Sequence, residues 1–193
     1  MYGYNKNGMA VFNSLYNINP RDIIRGLIST RFGWSQEFAD SMHVKWDQFR
    51  RDAVTDLVRG VYQTTQKTGK KIALSAAVKP NLGDAHHRWY QEWDKWVQDG
   101  IIDFVVPMNY FPEIRDFNNS MQIIKSNLTP DDLNLVIIGV STYNQDAQSA
   151  ADKILLARLN GFRGISIFSW NSHKDNLDWF QPIIEALGQP VSD

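Results

Sequence analysis

Four runs of β-branched and other apolar residues, each stopping at a cluster of polar and aromatic side chains, set the limits on what this chain can fold into. Two of them are Lys71–Val78, closed by Lys79-Pro80-Asn81, and Ile101–Met108, closed by Asn109-Tyr110-Phe111-Pro112. The others are Leu135–Val140, closed by Ser141-Thr142-Tyr143-Asn144, and Gly164–Ser169, closed by Trp170-Asn171-Ser172. Roughly thirty residues containing a helix-period stretch separate each run from the next, the length of one strand-plus-helix unit. Continuous rather than alternating apolar runs predict strands buried on both faces, as in a parallel sheet. Parallel α/β proteins carry their chemistry at the C-terminal strand ends. The four clusters therefore mark one candidate site.

The stretches between the runs read as helices. Met9, Phe12 and Tyr16 share a face, and Asn19-Pro20 offers a cap followed by proline at the first helical position. Ile23, Ile24, Leu27 and Ile28 form the next apolar stripe, whereas residues 31–45 have no clear period. Trp46, Phe49, Ala53, Leu57 and Val61 predict a strong helix ended by Gly69. Trp89, Trp93, Trp96 and Val97 sit at core spacing on a second helix closing at Gly100, so they are read as packing. A short third helix is expected over about 118–127, and Thr129-Pro130-Asp131-Asp132 reads as a capped turn. Ala147, Ala150, Ala151, Ile154, Leu155 and Arg158 share the face of a fourth helix, ended by Gly161. Asp175 is a candidate cap, and Pro182 opens a last helix with Gly188 at its end and a short polar tail beyond. The chain is expected to be a single unit over 1–193, with a helical lead-in over 1–45 and a helix plus four βα units over 46–188.

At 193 residues the chain is long enough for one substantial core. Twenty Lys and Arg against 21 Asp and Glu, with no long run of either sign, argue against nucleic acid or a membrane surface as partner. The absence of cysteine excludes disulfides, thiolate metal sites and cysteine nucleophiles. The N-terminal residues have no apolar signal-peptide core, and no run is long enough to span a bilayer. No His, Asp or Glu spacing resembles a metal site, and no glycine-rich loop follows any of the four strands, so neither a metal nor a cofactor is expected.

Alternating β and α units imply a parallel α/β sheet. A small doubly wound sheet and part of a (β/α)8 barrel, which takes about 250 residues when complete, both fit the pattern. A resemblance separates them. Trp46-Asp47-Gln48-Phe49-Arg50-Arg51-Asp52, Ile102-Asp103-Phe104-Val105-Val106-Pro107-Met108-Asn109-Tyr110 and Gly164-Ile165-Ser166-Ile167-Phe168-Ser169-Trp170 resemble, in order and spacing, stretches of the bacterial glycosyl hydrolase-like family 10 proteins. The resemblance runs from Tyr2 to Leu187. It implies the C-terminal half of a TIM-type (β/α)8 barrel: four parallel strands with flanking helices, preceded by a short helical segment. The family's acidic motif at the end of strand four has no counterpart here, so the carboxylates of that half are missing. An open half-barrel has two unpaired edges and an apolar inner face, which predicts pairing with a complementary barrel half or self-association. The resemblance also implies an envelope or secreted setting for the full-length protein.

Lys79, Asn109, Tyr110, Tyr143, Trp170 and Asn171 are the candidate substrate-binding residues. Amides and phenols exchange hydrogen bonds with sugar hydroxyls, and aromatic rings stack on the apolar face of a sugar. Three aromatic-plus-amide pairs around one mouth point to a polyhydroxylated ligand. Glycosidic hydrolysis needs two carboxyl groups flanking the bond. Asp84, Glu113 and Asp175 lie at the right end of the sheet but match no motif, and Asp103 starts its strand and faces away, so no catalytic residue is assigned. His86 and His87 are adjacent and diverge on a helix, His43 and His173 stand alone, and His173, just past the fourth strand end, is read as a solvated loop histidine rather than as a ligand contact.

The leading expectation, resting on the resemblance, is hydrolysis of O-glycosyl bonds in a bacterial polysaccharide or cell-wall glycan. Two alternatives stand beside it: a non-catalytic carbohydrate-binding remnant, and an aldolase-type enzyme forming a Schiff base on Lys79.

Overall fold

In a computed structural model describing residues 4–188, the order of elements is helices followed by four strand-and-helix units. The polar tail read after Gly188 lies outside the described residues. α1 (Lys6–Tyr16) is capped by Asn5, whose side chain accepts from the Gly8 amide. α2 (Pro20–Ile24) starts with the Asn19 cap and proline of the sequence reading. Phe12, Ile18, Ile23 and Ile28 close on Ala39, Met42 and Trp46 to form a small N-terminal core. Ile24 and Leu27, expected in the same stripe, are exposed.

α3 (Gln36–Lys67) is capped by Ser35 and begins ten residues before the predicted start at Trp46. The early turns hide from a periodicity search because only Ala39 and Met42 are buried there. The helix then serves two cores. Trp46 faces the N-terminal cluster, whereas Val54, Val58 and Tyr62 pack against the main core. At 100° per residue Leu57 lies about 20° from Trp46, on the same face. The N-terminal layer has ended by that point, and Leu57 and Val61 are exposed instead of buried.

All four strands are parallel and shorter than the apolar runs. They are β1 (Ser75–Val78), β2 (Phe104–Pro107), β3 (Ile137–Ser141) and β4 (Gly164–Phe168). β1 pairs with β2 and β3 with β4, and a parallel bridge between Val105 and Val136 joins the two pairs. The spatial order therefore follows the sequence. Lys71 to Leu74 stay outside β1, but Leu74 is tied to the start of β2 by the Asp103 carboxylate, which accepts from its amide at 2.5 Å.

Burial on both faces holds for β3, where Ile138 to Ser141 are all buried, and fails at the edges. Ser75 and Ala77 of β1 are exposed, and most of β4 is only half-buried. An apolar run marks a strand that wants cover on both faces. The two outer strands here each have one neighbour among the described residues.

The expected second helix divides into α4 (Leu82–Arg88) and α5 (Trp93–Gln98), separated at Tyr90, whose φ of 58° is left-handed. Trp93, Trp96 and Val97 are core residues as read, while Trp89 is only half-buried in the break. α6 (Ile114–Asn127) starts earlier than predicted and buries Phe117, Met121 and Ile124. The capped turn is α7 (Pro130–Leu133), with reciprocal Thr129 and Asp132 bonds. α8 (Ala147–Leu159), capped by Asp146, lays Ala150, Ala151 and Ile154 on the core. The segment after β4 holds two short 3-10 turns, Trp170–Ser172 and Leu177–Phe180, the second headed by Asn176 rather than by the expected Asp175. α9 (Gln181–Gly188) then packs along α8.

Candidate functional site

Parallel strands deliver their C-terminal ends to one side, and the side chains that follow gather there. Tyr110 stands just past β2, and its ring lies over Gly139 of β3. A Cβ on Gly139 would meet Tyr110 Cε1 at 3.1 Å and the Pro107 carbonyl at 2.7 Å. The Tyr110 ring stacks on Phe168 at the end of β4, with centroids 5.6 Å apart and planes at 12°. Tyr143, after β3, meets both edge-on, at 6.2 Å from Tyr110 and 6.3 Å from Phe168. Three strand ends thus support one aromatic group, with Tyr143 and Phe168 more than half exposed. Burial pushes the Tyr110 phenol above its ordinary value, and the Tyr143 phenol adds to the shift.

The loops beneath this group are held by polar side chains. Asn144 donates to the Tyr110 carbonyl at 2.9 Å. Lys153 of α8, 1% exposed, donates to the Pro112 carbonyl and to Gln145 Oε1, while Gln145 donates to the Ser141 carbonyl. The loop after β2 is thereby bound to the loop after β3. Asn109 is buried under the mouth instead of lining it. Its amide donates to the Phe117 carbonyl at 3.0 Å, and its Oδ1 has no protein partner among the described residues.

Trp170 and Asn171 are exposed in the turn after β4, and Trp170 stacks on Phe180 at 5.1 Å rather than on Tyr110 or Tyr143. Thr142 binds this turn to β3: its hydroxyl donates to the Ser169 carbonyl and accepts from the Ser169 amide, each at 3.0 Å. His173 lies flat on Trp179 at 3.9 Å, and its Nε2 meets the Thr142 carbonyl at 2.8 Å. A carbonyl only accepts, so that nitrogen carries the proton. The bland loop reading of His173 thus gives way to a fixed ring beside the mouth.

Lys79, past β1, places its ammonium 4.4 Å from the centroid of Trp89. Its backbone is fixed by Gln91 and by the Trp93 indole. Asp84 in the first turn of α4, Glu113 just before α6 and Asp175 in the loop after β4 are all exposed. Among the described residues no group of His, Asp and Glu is placed to hold a metal ion. No helix in that range is long and apolar enough to cross a membrane.

Three residues escape sequence reasoning. Phe168 sits inside an apolar run and carries no polar signal. Lys153 is buried beside Ala150, Ala151 and Ile154, and a lysine adds nothing to the apolar pattern that marks that face. His86 pairs with Asp94 across the α4–α5 break at 2.6 Å, a contact that no helical spacing links.

No curated protein matches the chain. A family model does, that of glycosyl hydrolase-like 10, over residues 15–154. That span takes in α2 through most of α8, including the first three strand ends with Lys79, Tyr110 and Tyr143. The chain belongs to the glycosyl hydrolase-like 10 family.

Proposed function

We propose that this chain forms the C-terminal half of a (β/α)8 glycosidase barrel and holds the sugar during hydrolysis of O-glycosyl bonds in a bacterial polysaccharide or cell-wall glycan. The observation that carries this reading is the grouping of Tyr110, Tyr143 and Phe168 over three neighbouring parallel strand ends. Exposed rings at fixed angles give stacking faces for pyranose rings, and Lys79, Trp170 and Asn171 supply donors and a further face around them. Asn109 supports the floor of the mouth.

Hydrolysis by two carboxyl groups needs at least one from outside these four strand ends, since Asp84, Glu113 and Asp175 stand apart in water. The free edges of β1 and β4 are where the other half of the barrel adds, either as a complementary segment or as a second copy. The exposure of Asp84, Glu113 and Asp175 also favours a second reading, carbohydrate binding without turnover.

Affinity electrophoresis through soluble bacterial glycans tests the assignment. The native chain should be retarded by at least one glycan. Tyr143→Ala or Trp170→Ala should weaken that retardation several-fold, since a lost stacking face removes about 1 kcal/mol. If no glycan slows the chain, alone or with a complementary half, the sugar assignment fails. Turnover on restoring that half separates the enzyme from the binding remnant.

A further inference from the structure

The Trp46–Asp52 stretch takes no part in the aromatic mouth, yet it builds a second site. A cavity of about 360 Å³ lies between the start of α1, the middle of α3 and the break between α4 and α5. That size is at the lower end of the roughly 300–1,000 Å³ usual for small-molecule sites. Its walls are Phe49, Ala53, Leu57, Trp89 and Tyr90, with Arg50 as the cation among them. The Arg50 guanidinium lies 4.0 Å from the Tyr90 centroid, 5.3 Å from Trp46 and 5.5 Å from Tyr4. One terminal nitrogen pairs with the Asp47 carboxylate. Its Nε is buried and has no acceptor among the described residues.

Two local costs meet at this cavity. A buried N–H without an acceptor keeps the full penalty of losing its water. A bulky residue in the left-handed region is strained, and Tyr90 is held there by backbone bonds from Trp89 to Asp84 and from Gln91 to Ala85. The strained turn is what brings the Tyr90 ring onto Arg50.

We propose that this cavity binds a small carboxylate with an apolar ring or short chain. The apolar body lies against Phe49, Leu57, Trp89 and Tyr90. The carboxylate reaches Arg50 by a small rotation of the guanidinium within its cage of rings and supplies the acceptor that Nε lacks. Trp89 both lines this cavity and carries the Lys79 ammonium. Occupancy is therefore felt at the end of β1 through a single ring. The site is independent of the glycan reading and stands or falls separately from it.

Amide and side-chain N–H spectra of the full 15N-labelled chain, titrated with benzoate and in parallel with benzyl alcohol, test the proposal. Saturable shifts should appear at the Trp89 indole, the Tyr90 amide and Arg50 Nε. Benzoate should bind at least about tenfold more tightly than the alcohol, as one charge-assisted bond requires. Arg50→Gln should abolish that preference. Ala53→Trp, which fills the cavity from an exposed position of α3, should abolish the shifts while leaving the thermal midpoint near that of the native chain. Equal affinity for the two probes, non-saturating shifts scattered over the surface, or undiminished benzoate binding by Ala53→Trp would each overturn the site.

Discussion

The ring of Tyr110 spans the gap to Phe168, 5.6 Å away, by passing over β3 at Gly139. A stack between the ends of two strands that are not neighbours works only if the strand between them has nothing standing up at that point. Glycine meets that condition, and any side chain there would press on Tyr110 or on the Pro107 carbonyl.

Gly139→Ala should therefore cost about 1–3 kcal/mol, the usual range for overpacking, and should weaken the near-ultraviolet circular dichroism of the aromatic group. Gly60 of α3 is the control, since nothing lies within 4 Å of an added Cβ there. Gly60→Ala should stabilise by about 0.5–1 kcal/mol through helix propensity alone. Equal effects from both changes in urea melts would remove the special role of Gly139.

Lys153 gives a prediction with a sign in pH. Burial pulls its ammonium below the ordinary lysine value, partly offset by the Glu113, Asp146 and Asp152 carboxylates. Because the folded value is the lower one, the folded chain sheds this proton first as pH rises. Between the folded and unfolded values the unfolded state holds more protons, so this group's contribution to stability rises with pH in that window. At neutral pH Lys153→Met should cost about 1–3 kcal/mol, because the Pro112 carbonyl and Gln145 Oε1 lose their donor. The deficit of the variant relative to the native chain should grow as pH climbs toward the ordinary lysine range. A deficit that shrinks there, in paired denaturant melts, would place the charge outside the core.

The legible parts of this fold are those with local chemical causes. Asn19-Pro20, the Thr129–Asp132 box and Gly161 each satisfy or end a helix within four residues, and each stands where the sequence put it. The four strand ends were legible because a buried run has to stop where water begins. What stayed hidden depends on neighbours far along the chain. Tyr90 turns left-handed without a glycine to announce it, and Leu57 is left uncovered because the N-terminal layer ends before reaching it. Phe168 and Trp170 differ by two residues, yet one joins Tyr110 and the other joins Phe180, a choice made by the turn between them. Lys153 is buried because two carbonyl-type oxygens from separate loops converge on it, and no window of sequence contains all three groups.

The outer strands lead to a prediction about assembly. β1 exposes Ser75 and Ala77, and β4 leaves Ile165 and Ile167 only half covered, while β3 between them is buried. An unpaired parallel edge with apolar neighbours recruits another strand. Light scattering coupled to size exclusion should give a mass above the 22.2 kDa of one chain. Ala77→Lys, which sets a charge on the exposed face of the edge strand without entering the core, should return the mass to that of the monomer. A native chain that stays monomeric and cooperatively folded at every concentration would show that the edges are tolerated as they are.

The N-terminal core should prove part of the folded unit rather than an appendage, and Trp46 is the residue that tests it. Trp46 is 1% exposed, stacks on Phe49 at 5.4 Å, meets Phe12 edge-on at 4.9 Å and donates its indole N–H to the Tyr4 hydroxyl at 2.7 Å. The same helix carries Val54, Val58 and Tyr62 onto the main core, so loosening one end of α3 strains its hold on the other. Trp46→Phe keeps a ring but deletes the hydrogen bond and part of the buried area, and should cost about 1–2 kcal/mol. Trp46→Ala should cost about 3–5 kcal/mol. In both variants the loss should appear in one transition shared by helical circular dichroism and the fluorescence of the strand-side tryptophans Trp93 and Trp96. Two separate transitions, with the strand-side signal unmoved, would show that α3 does not couple the two cores.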